Sequence, residues 1–285
     1  MTTPTTASDS ATLSMGRVAL TVHDLDRMRD FYERTMGLHP IRSDGESAEL
    51  GVGSDVLLEL RRDRAARRRS PRDAGLFHTA FLLPDRADLA RWTREALNTG
   101  APLTGASDHA VSEALYLNDP EGNGIEIYID RPSSSWDWAD GMVHMVTDPL
   151  DMDDLLAQTA GMTWAGMPEG AIIGHVHLQV GAIAAAENFY AGHLGLDVTS
   201  RYPGATFYAA DGYHHHIATN IWNSRGAAER SFPSTGLAEV QIRLDAARAD
   251  ALRARAGMPP GGTQITLRDP WGTPVVLNVI SKGKI

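Results

Sequence analysis

The chain of 285 residues contains no cysteine. That excludes disulfides, thiolate metal ligands and a cysteine nucleophile, and it suits a reducing compartment or oxygen chemistry nearby. No apolar run approaches the length needed to span a bilayer. The polar opening, Met1-Thr-Thr-Pro-Thr-Thr-Ala, lacks the basic stretch and apolar core of a signal peptide, so residues 1–13 are expected to be a disordered tail on a cytoplasmic protein. Positive charge is also short: the net charge is −10, which argues against nucleic acid or an anionic membrane as partner. The basic run Arg61–Arg72 has no interleaved aromatics and reads as a solvated connection.

What is present is an internal repeat. Gly16-Arg-Val-Ala-Leu-Thr-Val, Phe31-Tyr32 and Gly37-Leu38 recur as Gly174-His-Val-His-Leu-Gln-Val, Phe189-Tyr190 and Gly195-Leu196, all at an offset of 158. Each copy reads as a strand, a helix burying Phe-Tyr, a closing glycine and further strands. Interleaved units begin at Phe77–Leu83 and Ala238–Leu244, continue through helices at Ala87–Thr99 and Ala246–Ala256, and share Asp-Pro-x-Gly turns at Asp119 and Asp269. The chain is therefore four β-α-β-β(-β) modules in two pairs, an α+β fold. The pairs are expected at 14–131 and 171–285. The connector, 132–170, carries Trp136, Trp138, five methionines and an N-cap signal before Leu155. Its apolar residues pack on a module, cover a substrate mouth or form a dimer contact.

Matched positions in the modules carry different chemistry. The first strands hold Arg17, His78, His175 and Glu239 at one place. The last strand holds Glu126 in module two, Val276 in module four and Ala218 in module three; in module one the place falls near Leu58 or Glu59. Two imidazoles with one carboxylate leave coordination positions open, as in non-haem Fe(II) oxygenases. Taken singly, His78 also fits a hydrogen-bonded core histidine and Glu126 a solvent-facing strand residue. Yet a carboxylate within Gly-Ile-Glu-Ile-Tyr is expensive to bury without a partner or a metal. His177 points to the same strand face as His175, and His175 is favoured because it is in register with His78. In the run His214-His215-His216, strand alternation sends His215 to one face and its neighbours to the other, where they are structural or solvated.

These modules resemble the vicinal oxygen chelate superfamily, also called the glyoxalase/bleomycin-resistance/dioxygenase fold. The four-module layout is similar to that of type I extradiol dioxygenases, especially bacterial catechol 2,3-dioxygenases, from about Ser14 onward. The resemblance implies mixed-sheet half-barrels enclosing one metal site. Its ligands would be His78, His175 and Glu126, the metal Fe(II) with Mn(II) as the alternative, O2 the co-substrate and a small aromatic diol the substrate. It places the acid–base role on His215, in His214-His-His-Ile-Ala218, and substrate contacts on Tyr116, ten residues before Glu126, and on His109. One departure stands out. In the usual extradiol arrangement the His-plus-Glu module is the fourth, paired with the third, whereas here it is the second. A shared site then requires modules two and three to pair across the halves of the chain; pairing within each half would leave His175 distant and the third ligand unidentified. The rival functions are a metal-dependent isomerase or lyase of the same fold, which tends to use two carboxylates, and a non-catalytic resistance-type binding protein, which needs no metal triad.

Overall fold

The computed structural model describes residues 11–159 and 162–280. The first module comprises β1 (Leu13–Val22), α1 (Leu25–Arg34), β2 (His39–Ser43), β3 (Ser47–Val52) and β4 (Asp55–Arg62). The second comprises β5 (Gly75–Leu82), α2 (Arg86–Thr99), β6 (Leu103–Asp108), β7 (Ser112–Asn118) and β8 (Gly124–Asp130). The connector holds the short strands β9 (Trp138–Ala139), β10 (Met142–Val143) and β11 (Asp148–Pro149), then α3 (Met152–Ala157). In the third module β12 (Ile172–Gln179) is followed by α4 (Ile183–Glu187), a π-helical turn at Asn188–His193, β13 (Asp197–Tyr202), β14 (Ala205–Ala209) and β15 (Ile217–Asn220). The fourth is β16 (Gly236–Leu244), α5 (Ala246–Ala256), β17 (Gln264–Arg268) and β18 (Pro274–Val279).

Local chemistry sets the boundaries. Asp85, Asp151 and Asp245 each cap a helix by accepting from a backbone N–H three residues on. α2 stops at Gly100, whose φ of 69° is the left-handed conformation that glycine adopts without a Cβ clash. β12 reads Ile-Ile-Gly-His-Val-His-Leu-Gln and is buried on both faces after its first residue, as a central strand must be. The main chain is held earlier than expected: the Asp211 carboxylate accepts from the backbone N–H of Thr12 and Leu13. The expected disorder of residues 1–10 lies outside the described residues.

The two large sheets draw on both halves of the chain. One has the order β17-β18-β16-β1-β4-β3-β2 and joins modules four and one. The other, β11-β6-β7-β8-β5-β12-β15-β14-β13, joins modules two and three. At its centre β5 runs antiparallel to β12 and parallel to β8. The three strands that carry His78, His175 and Glu126 are thus adjacent. Leucine, isoleucine, valine and aromatic side chains of both sheets and the helices fill one continuous apolar core.

Candidate metal centre

Ala80 organises the site. In the ladders it is paired with Glu126 on one side and with His175 on the other. His78, two residues earlier on β5, projects from the same strand face. The methyl of Ala80 leaves the space above it to the three longer side chains. Glu126 Oε2 lies 2.9 Å from His78 Nε2 and 3.2 Å from His175 Nε2. All three residues are buried, and their ligand atoms lie within 4.8 Å of one another.

This cluster fits a divalent cation. Ligand atoms about 2.1 Å from a metal at right angles would be about 3 Å apart. His78 Nε2 approaches the carboxylate without the alignment of a hydrogen bond and is a buried nitrogen with no hydrogen-bond partner among the described residues. Such a lone pair, converging with a carboxylate and a second imidazole, is what a hard-to-intermediate cation requires. Burial pushes the Glu126 carboxyl up, but the imidazoles of His175 and His78 outweigh it and hold it well below the usual carboxylate range. Burial pushes His175 down against the pull of Glu126. Ionised carboxylate and neutral imidazole are the metal-binding forms.

His177, not His175, is the direct cross-strand partner of His78. His78 and His175 hold matched places in their modules without being paired across the ladder. His175 is paired with Ala80, whose other partner is Glu126, and this shared neighbour brings it to the cluster. His177 Nε2 accepts a hydrogen bond from Asn220 Nδ2 at 3.0 Å, and burial with the neighbouring imidazoles pushes its pKa well down.

A cavity of about 490 Å³ opens on the cluster. Tyr116, the cross-strand partner of Glu126, lies 2.7 Å by its hydroxyl from His109 Nε2. His109 Nδ1 is 2.6 Å from the Val146 carbonyl, which can only accept, so Nδ1 carries the ring proton and the Tyr116 O–H donates to Nε2. Burial and the Glu126 charge push the Tyr116 pKa well up, which keeps that proton in place. His215 also lines the cavity, its ring centroid 4.1 Å from that of His175, and burial with the adjacent imidazoles pushes its pKa well down. Phe77, Phe207 and Trp222 supply apolar wall, and Met145 to Thr147 of the connector cover one side.

The histidine run departs from its expected form. β15 begins at Ile217, so His214 to His216 lie in bends before the strand and alternation does not apply to them. All three are buried, not solvated. Burial pushes His216 down to about 3. His214 hydrogen-bonds Asp130 and His215, a contact the sequence pattern did not indicate.

Comparison with known proteins follows the same outline. A family model described as Glyoxalase/Bleomycin resistance protein/Dioxygenase superfamily matches residues 14–127 and 172–277. Over 228 residues the chain is 40% identical to Catechol-2,3-dioxygenase of Bacillus subtilis (strain 168), covering 78% of this chain and 80% of that protein. Among solved structures it is similar in fold to glyoxalase I from Zea mays, with a TM-score of 0.56, 19% identity and coverage of 94% and 92% of the two chains. The cppA protein of Streptococcus pneumoniae TIGR4 is similar in fold too, with a TM-score of 0.58, 11% identity and coverage of 94% and 99%.

Proposed function

The chain belongs to the Glyoxalase/Bleomycin resistance protein/Dioxygenase superfamily, and we propose that it is an extradiol-type ring-cleaving dioxygenase acting on a catechol-like vicinal diol with O2. The observation that carries this reading is a buried His-His-Glu cluster on the floor of a cavity walled by three further polar groups, His109, Tyr116 and His215. The 40% identity to a catechol dioxygenase over most of both chains supports it.

His78, His175 and Glu126 would hold the metal, Fe(II) first and Mn(II) as the alternative. When bound, the metal would supply a Lewis-acid and one-electron centre that acidifies the diol and activates O2. The chain's own groups do the rest. The Tyr116 oxygen, whose proton is directed to His109, keeps a lone pair that can accept from a diol hydroxyl and orient it. His215, neutral because burial disfavours its charged form, is placed to take and return a proton at the far side of the cluster. The apolar wall of Phe77, Phe207 and Trp222 suits the face of an aromatic ring and limits water.

The acidic balance and the lack of cysteine support a cytoplasmic enzyme with no nucleic-acid or membrane partner. Trp138 and Met142, 37% and 40% exposed on the connector, support a homodimer. The test of function is anaerobic loading with Fe(II) followed by catechol in aerated buffer. Oxygen uptake with a yellow ring-opened product is expected. No stoichiometric metal, together with unchanged behaviour of Glu126→Ala, would overturn the reading, and turnover under strict exclusion of O2 would favour an isomerase.

A further inference from the structure

β8 carries Glu126, Tyr128 and Asp130 at alternate positions on one face. Glu126 belongs to the metal cluster. Asp130, at the strand's end, has two carboxylate oxygens with different partners: Oδ1 lies 2.7 Å from His214 Nε2, and Oδ2 accepts from the Tyr213 hydroxyl at 2.9 Å. His214 Nδ1 is in turn 2.7 Å from His215 Nδ1. A line of hydrogen bonds therefore runs from Asp130 through His214 to His215 and ends at the cavity wall.

The directions of these bonds follow from which atoms can donate. A carboxylate only accepts, so His214 Nε2 carries a proton. With His214 as the neutral ring, its Nδ1 is the acceptor, and the proton between the two Nδ1 atoms then belongs to His215. That leaves Nε2 as the unprotonated nitrogen of a ring that lines the substrate cavity. His214 is fully buried, with the Trp136 ring 5.1 Å away on one side and the Tyr213 ring 4.1 Å away on another. The ring itself is shielded from solvent, while the Asp130 side chain remains 23% exposed. A second arm braces the carboxylate: Tyr128 and Tyr213 share a hydroxyl contact of 2.9 Å. A Cβ on Gly174 would lie 1.8 Å from the Tyr128 hydroxyl, so only glycine beside His175 allows that arm to form.

We propose that Asp130 and His214 are positioning residues that fix His215 as its Nδ1–H tautomer and so leave Nε2 free toward the substrate. The use made of that nitrogen rests on the dioxygenase reading above; the tautomer and its cause do not. A carboxylate that selects the tautomer of a reacting imidazole is a known device, and here a second imidazole stands between the two.

Long-range 15N–1H spectra of 15N-histidine-labelled protein with Zn(II) added report the tautomer directly, with the His215 signals identified by their loss in His215→Gln. The wild-type protein is expected to show His215 protonated at Nδ1, and Asp130→Asn and His214→Phe to show a mixture or the Nε2–H form. With Fe(II) and catechol, both variants should lose about 10- to 100-fold in kcat while KM and metal content stay within about twofold. An Nε2–H tautomer in the wild type overturns the proposal, as does unchanged kcat in both variants. A loss that comes through KM or metal content marks a merely structural role and overturns it too. Because the spectra need no turnover, a protein that cleaves no catechol overturns the dioxygenase reading while the tautomer still decides this one.

Discussion

Ala19 of β1 and Ala80 of β5 occupy the same place in the two sheets. Ala80 is paired with Glu126 and His175, and Ala19 is paired with Glu59 and Glu239. Two residues before each alanine stands His78 in one sheet and Arg17 in the other. The triad His78, Glu126, His175 therefore corresponds to Arg17, Glu59, Glu239. Where the first set converges on a metal-sized space, the second is an ion-pair network: Arg17 lies 2.7 Å from Glu59 and 3.3 Å from Glu239, and Arg61 lies 2.8 Å and 3.3 Å from the same two carboxylates. A guanidinium does in one half-barrel what a metal ion would do in the other: it neutralises inward-facing ligands.

That correspondence predicts what Arg17→Met does. The variant leaves two largely shielded carboxylates sharing Arg61 alone. It should lower the unfolding free energy by about 1–2 kcal/mol, a value discounted for partial solvent exposure. Metal content should not change. Urea titration with metal analysis checks both. The pH dependence has a defined sign. Burial pushes the Glu59 carboxyl up, but Arg61 and Arg17 outweigh it, so its folded pKa sits below the ordinary 4.5. The unfolded chain then takes up the proton first. The contribution is present above pH 4.5 and is lost as pH falls through the lower folded value. The stability curve of Arg17→Met should fall less steeply over that interval than the wild-type curve. Parallel curves would contradict the network.

The repeated landmarks Phe-Tyr and Asp-Pro-x-Gly are two ends of one contact. The Tyr32 hydroxyl donates to Asp119 at 3.0 Å, and the Tyr190 hydroxyl donates to Asp269 at 3.1 Å. Each aspartate also accepts from two backbone N–H groups of its own turn. Tyr32→Phe should cost about 1 kcal/mol, because Asn123 still donates to the same oxygen. Asp119→Ala should cost about 2–3 kcal/mol, because it also orphans the turn. Thermal unfolding of the two variants gives the ranking; the reverse order would be inconsistent with this division of labour.

Those landmarks made the four-module plan legible in the sequence, since a hydrogen bond between two short motifs keeps both in every copy. The sequence left open whether modules pair within or across the halves of the chain, a shared site for Glu126 and His175 requiring the latter, and the β5–β12 ladder joins modules two and three. What periodicity could not supply was the register. Counting along β12 cannot tell His175 from His177, because both point the same way; what separates them is that His175 is paired with Ala80 and His177 with His78. The roles of His214 and Asp130 were also hidden. The histidine run was read as strand, whereas it bends before β15, and a carboxylate four residues beyond Glu126 on the same face of β8 carried the only local signal.

The distinction between His175 and His177 is itself testable. His177 Nε2 is committed to Asn220, whereas His175 Nε2 faces Glu126. His175→Ala should abolish stoichiometric binding of Fe(II) or Mn(II), and His177→Ala should retain it. A metal at about 100 times its dissociation constant stabilises the folded state by about 2.7 kcal/mol. The wild type and His177→Ala should therefore melt higher with metal than with chelator, and His175→Ala and Glu126→Ala should not. Loss of the metal-dependent shift in His177→Ala alone would exchange the two assignments.

Tyr116 offers the last test, because its hydroxyl connects the carboxylate strand to His109. Burial and the neighbouring Glu126 charge keep the phenol protonated, and His109, anchored through Nδ1 to the Val146 carbonyl, can only receive that proton's hydrogen bond at Nε2. Tyr116→Phe removes the oxygen that would orient a diol hydroxyl and leaves His109 Nε2 without its donor. The ring still packs 5.6 Å from His78, so metal content should stay at the wild-type level. Turnover should fall by about 100-fold, in the range for a removed proton-handling group, with a smaller rise in KM for catechol. His109→Phe should resemble it, and the double variant should be little worse than either single one, since both remove the same hydrogen bond. Steady-state oxygen uptake by the three variants measures this. Independent, multiplicative losses would show that Tyr116 and His109 act on different parts of the substrate.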